Sequence, residues 1–106
     1  MPEASWHRVA AVSDIIDGEA KPARVGELEI ALVRVDGTIH AFEDVCPHAY
    51  ALLSQGFVEG NEIECPLHAA RFEISTGKVL CPPADRDLQV YPVRVDGDDV
   101  LVQIVR

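Results

Sequence analysis

Four side chains in two short stretches carry the chemistry of this sequence. The first stretch reads Cys46-Pro47-His48; sixteen residues follow, and the second reads Cys65-Pro66-Leu67-His68. Each stretch offers one soft thiolate and one imidazole, so two loops must converge if the four act on a single centre. A [2Fe–2S] cluster of mixed ligation uses this set, with two cysteines on one iron and two histidines on the other. A structural zinc ion accepts the same Cys2His2 donors in a tetrahedron. Zinc sites usually draw on a C-x2–4-C pair and an H-x3–5-H pair. Here each loop supplies one cysteine and one histidine, which fits iron–sulfur better. His7 and His40 lack such a context and read as strand residues with ordinary partners.

The pattern C-x-H-x16-C-x2-H, with a proline after each cysteine, resembles the bacterial Rieske-type ferredoxins. Its surroundings strengthen the likeness: Leu53-Ser54-Gln55-Gly56 after the first loop, and Glu64-Cys65-Pro66-Leu67-His68 through Arg71-Phe72 at the second. The resemblance spans nearly the whole chain. It implies one [2Fe–2S] cluster, with Cys46 and Cys65 on one iron and His48 and His68 on the other. Exchanging two thiolates for neutral imidazoles removes negative charge and eases reduction relative to plant-type ferredoxins. Tyr50, Leu52, Leu67 and Phe72 are expected to shield the cluster.

A high-potential branch of the family carries an extra cysteine in each loop and a serine and tyrosine hydroxyl against the sulfurs. The matching positions here are Ala51, Leu67, Ala70 and Phe72, which provide neither a disulfide nor a hydroxyl donor. Hydrogen bonds to sulfur stabilise the reduced state, so their loss implies a potential near the lower end of the Rieske range, about −150 mV.

The elements that must position these loops are strands. Trp6–Val12 alternates loosely, and Ala20–Val25 is limited to an edge by Pro22. Glu27–Val35 alternates with Leu28, Ile30, Leu32 and Arg34 on one side, then turns at Asp36-Gly37 into Thr38–Phe42. Phe57-Val58-Glu59 and Glu62-Ile63-Glu64 form a hairpin around Gly60-Asn61, the device that brings the loops together. Arg71–Ile74 is a short strand. Prolines 82 and 83 bar helix and central strand from Lys78–Pro83. Leu88–Val95 and Val100–Val105 are expected to make a last hairpin around Asp96–Asp99. No stretch sustains a 3.6-residue apolar period. The fold class is therefore all-β, a small antiparallel sandwich or barrel. The resemblance refines this to a Rieske fold: a single domain over 1–106, a β-sandwich with an inserted cluster-binding subdomain of two loops at about 44–82.

With 106 residues, the chain can build one modest core. Its net charge of −9 disfavours nucleic acid and anionic membranes and favours a partner with a basic docking face. No apolar run approaches the roughly 18 residues of a membrane span, and the N-terminus lacks a secretory pattern, so a cytoplasmic monomer is expected. Three cysteines are too few for a disulfide framework, leaving Cys81 as a partly buried thiol. No G-x-G-x-x-G and no 2-His-1-carboxylate set is found. The resemblance implies an electron carrier, not an enzyme, passing electrons from a flavoprotein ferredoxin reductase to a terminal Rieske oxygenase of an aromatic-ring dioxygenase system. The alternatives are a small Rieske-like subunit of an assimilatory nitrite reductase, and a zinc-stabilised interaction module.

Overall fold

The computed structural model describes residues 4–46, 51–67, 70–81 and 86–105. Eleven strands alternate with turns and two short 3-10 segments, and no α-helix occurs among the described residues. In chain order the strands are β1 (Ala4–Ala11), β2 (Ala20–Val25), β3 (Leu28–Val35), β4 (Thr38–Glu43), β5 (Phe57–Glu59), β6 (Glu62–Glu64), β7 (Arg71–Glu73), β8 (Val79–Cys81), β9 (Val90–Tyr91), β10 (Val93–Asp96) and β11 (Asp99–Val105). They form three antiparallel sheets, ordered β1-β11-β10, β2-β3-β4-β9 and β5-β6-β7-β8.

The β2-β3-β4-β9 sheet is shared by both cores. Ile30 and Leu32 face one buried cluster with Ile39, Ala41, Val100, Val102 and Ile104. Ala31 and Val33 face the other, with Phe42, Cys46, Cys65, Ile63 and Phe72. All of Ile30–Val33 is fully buried, so β3 is covered on both faces. The expected one-sided alternation described only half of it. A continuous apolar run is what a doubly covered strand requires.

Local turn chemistry behaves as the sequence suggests. Asp36 and Gly37 both take positive φ, 50° and 81°, the pair of angles a tight I′ hairpin needs. β2 lies at a sheet edge, consistent with Pro22 lacking an amide donor. β8 is likewise an edge strand, laid against β7 just before the two prolines.

The expected final hairpin needs correction. Its first limb is split at Pro92: Val90–Tyr91 pairs with β4, while Val93–Asp96 crosses to the other sheet and pairs with β11. Pro92 cannot donate to either ladder, but its carbonyl accepts from the Gln103 N–H at 3.0 Å. The break lets one stretch serve two sheets. β11 in turn pairs with β1, joining the two ends of the chain, with a register shift between Arg8 and Ala10.

Candidate metal centre

Two loops of the same build leave this scaffold. In loop 1 the isolated bridge between Val45 and Leu52 encloses residues 46–51, and the Cys46 N–H donates to the Ala51 carbonyl at 2.8 Å. In loop 2 the ladder pair Glu64–Arg71 encloses residues 65–70, and the Cys65 N–H donates to the Ala70 carbonyl at 2.8 Å. Each cysteine is thus the first residue of its loop, pinned at the neck by its own amide. Both thiols are buried, at 2% and 1% exposure, and belong to one apolar cluster. None of the three cysteines forms a disulfide, and Cys81 is half-buried on β8. His48 and His68 lie outside the described residues, as does Tyr50.

Loop 1 is anchored to the central sheet by its entry residue. The Asp44 N–H donates to the Glu29 carbonyl at 3.0 Å, extending the β3–β4 ladder, while the Asp44 carbonyl accepts from Leu53 at 2.7 Å. The Asp44 side chain is the one buried charged group among the described residues, at 1% exposure. Its two carboxylate oxygens accept from the Ser54 N–H and the Ser54 Oγ, each at 2.7 Å. Bonds to a charged group contribute about 1.5–3 kcal/mol apiece, which offsets the desolvation of the carboxylate. Sequence reasoning did not single out this brace; an acid two residues before a loop cysteine and a serine beyond the loop were its only signal.

Loop 2 is held by the β5–β6 hairpin and by close packing at Gly56. A Cβ there would sit 2.0 Å from the Glu64 carbonyl oxygen and 3.1 Å from that of Leu53, so only glycine permits this approach. Of the expected shielding residues, Phe72 is fully buried and Leu52 half-buried. Leu67 is 58% exposed. Phe57, whose ladder partner Glu64 directly precedes Cys65, is also exposed.

Beside Phe57 runs a charged row. Arg71 donates to Glu62 at 3.3 Å and to Glu64 at 3.0 Å, and lies 3.9 Å from Glu59. Its hydrogen bonds to the Glu62 and Glu64 carboxylates hold the guanidinium above the ordinary arginine pKa. One cation among three carboxylates leaves the row acidic. His40 stands apart: it lines a cavity of about 400 Å³ with Ser75 and Tyr91 that contains no residue of either cysteine loop. Burial lowers its pKa.

A small antiparallel β protein whose two matched loops each open on a buried cysteine, with a histidine two or three residues further on, has the donor chemistry for a mixed-ligand iron–sulfur centre. Residues 5–92 match the Rieske [2Fe–2S] domain, and the chain belongs to that family and carries one [2Fe–2S] cluster. The ferredoxin component of the naphthalene 1,2-dioxygenase/salicylate 5-hydroxylase systems of Ralstonia sp. is 42% identical over 94% of this chain and 96% of its own length. A chain from the solved complex of reduced oxygenase and oxidized ferredoxin in carbazole 1,9a-dioxygenase superposes with a TM-score of 0.85 at 38% identity, covering 92% of this chain and 91% of that one. The small subunit assigned to an NADH-dependent nitrite reductase from Mycobacterium tuberculosis has the same TM-score, 0.85, at 26% identity, covering 98% of each chain. Its lower identity makes it the lesser neighbour, and the family match favours iron–sulfur over zinc.

Proposed function

We propose that this chain is the ferredoxin component of an aromatic-ring dioxygenase system, a one-electron carrier and not itself an enzyme. The observation that carries the reading is the near end-to-end likeness to such a component in Ralstonia sp.. Cys46 and Cys65 hold one iron of the cluster, and His48 and His68 hold the other. The cluster, when bound, supplies a single reversible electron at a potential set by the protein around it. The necks of loops 1 and 2 fix where the cysteine sulfurs stand, and Phe72 excludes water behind them. Residues 44–82 act as the cluster-binding subdomain of a single domain spanning 1–106.

The partners are a flavoprotein ferredoxin reductase and a terminal Rieske oxygenase. Phe57, with the acidic row Glu59, Glu62 and Glu64 alongside, offers an apolar contact with a negative border. Such a face suits a basic docking site. No helix among the described residues is long and apolar enough to cross a membrane. We place the protein in the cytoplasm as a monomer.

The test has two stages. Anaerobically purified protein is expected to be red-brown, with about two irons and two acid-labile sulfides per chain. One zinc and no sulfide would end the iron–sulfur reading. The reduced protein is then mixed with a naphthalene-type terminal oxygenase and, separately, with a nitrite reductase large subunit. Rapid reoxidation by the oxygenase alone is expected; reoxidation by the nitrite reductase alone would transfer the protein to that system.

A further inference from the structure

Asp44 has a place in the fold that packing alone does not account for. It is the one buried charged side chain among the described residues, and it lies two positions before Cys46. No cationic side chain bonds it among the described residues: its side-chain partners there are the amide and hydroxyl of Ser54, each at 2.7 Å. Among the described residues, neutral dipoles alone hold the carboxylate in place, and they do not cancel its charge. Its main chain is locked at both ends, to Glu29 at 3.0 Å and to Leu53 at 2.7 Å, so the charge stands at a fixed position relative to the neck of loop 1. In a weakly polarisable interior, a fixed charge acts on a neighbouring redox centre far more strongly than one in water.

We propose that Asp44 is a positioning residue whose influence is electrostatic, in that its buried carboxylate, clamped by Ser54, sets the reduction potential of the centre held by Cys46. The inference rests on the assignment of Cys46 as a ligand. An electron added to the centre meets the field of the carboxylate, which disfavours the reduced state. The clamp fixes the side chain, and the Ser54 hydroxyl, with its proton directed at Oδ2, offsets part of the field. This effect is separate from the missing sulfur donors at positions 70 and 72 and acts in the same direction.

The test measures midpoint potentials of cluster-loaded protein by voltammetry, with visible and electron paramagnetic resonance spectra to establish that a Rieske cluster is present. Asp44→Asn keeps the shape and an acceptor oxygen but removes the charge. It is expected to shift the oxidised–reduced equilibrium about tenfold toward the reduced form, a rise of about 59 mV for one electron. Ser54→Ala keeps the charge and removes the hydroxyl that offsets it, so its midpoint is expected to fall. The opposite signs mark an electrostatic role, because mere loosening of loop 1 would move both variants the same way. An unchanged or lowered midpoint in Asp44→Asn, with Rieske spectra retained, overturns the proposal. Should Asp44→Asn not fold, a midpoint in Ser54→Ala that is unchanged or raised overturns it equally. Absence of a Rieske spectrum in the wild-type protein would instead remove the ligand assignment beneath it.

Discussion

Gly56 is where a single methyl group should do most harm. A Cβ at this position would lie 2.0 Å from the Glu64 carbonyl oxygen, with the Leu53 carbonyl oxygen at 3.1 Å. Both are backbone atoms, so no rotamer change relieves the contact. Restoring a tolerable separation requires the Glu64 peptide to move by about 1 Å, and that peptide leads directly into Cys65. Overpacking of this kind costs typically 1–3 kcal/mol and more where the wall is rigid, so we expect about 3 kcal/mol for Gly56→Ala. For a domain of this size each kcal/mol lowers Tm by about 4–8 °C, giving a fall of about 12–24 °C. Gly60→Ala is the matching control: its φ of +58° makes alanine strained, but a Cβ there meets nothing within 4 Å. That substitution should cost about 1–2 kcal/mol and leave the visible spectrum of the cluster intact. Thermal unfolding followed by circular dichroism, with iron content measured on the same samples, checks both. A Gly56→Ala protein that melts within about 4 °C of wild type with full iron content would refute the close-approach reasoning.

Three further outcomes are expected. Ala70 and Phe72 are both fully buried and bear no hydroxyl, so the wild-type midpoint should lie near the low end of the Rieske range, about −150 mV, and Phe72→Tyr should raise it. A wild-type value above about +100 mV by protein-film voltammetry would contradict this. Electron transfer to the oxygenase should slow as salt rises, since the Debye length falls from about 10 Å at 0.1 M to about 3 Å at 1 M; a flat rate would assign the acidity to solubility alone. Burial lowers the pKa of His40 below its value of 6.5 in the unfolded chain. Between the two values the unfolded state binds more protons, so stability rises with pH through that window and is lost on acidification. Melting curves of wild type and His40→Gln across the same window should converge at its upper end and part at its lower end; parallel curves would rule the effect out.

Much of this protein is legible from residue order because the signals are local. The loop cysteines and histidines stand out as candidate ligands by type and spacing, and the Asp36-Gly37 turn follows from backbone angles that few residues adopt. Pro22 confines its strand to an edge by lacking a donor, wherever that edge lies. Other features join residues far apart, and no local rule reports them. Alternation marked Ile30 and Leu32 as core, but only the third sheet, packed on the opposite face, makes Ala31 and Val33 core as well. The division of the last hairpin at Pro92 depends on β4 offering a free edge to Val90–Tyr91 while β11 takes Val93–Asp96. The clamp between Asp44 and Ser54 and the close approach of Gly56 to Glu64 exist only because the two cysteine loops are folded onto one apolar cluster. The candidate metal-binding residues follow from donor chemistry, which sequence records directly. The burial and backbone contacts around them were decided by tertiary packing, because both depend on what lies close in space.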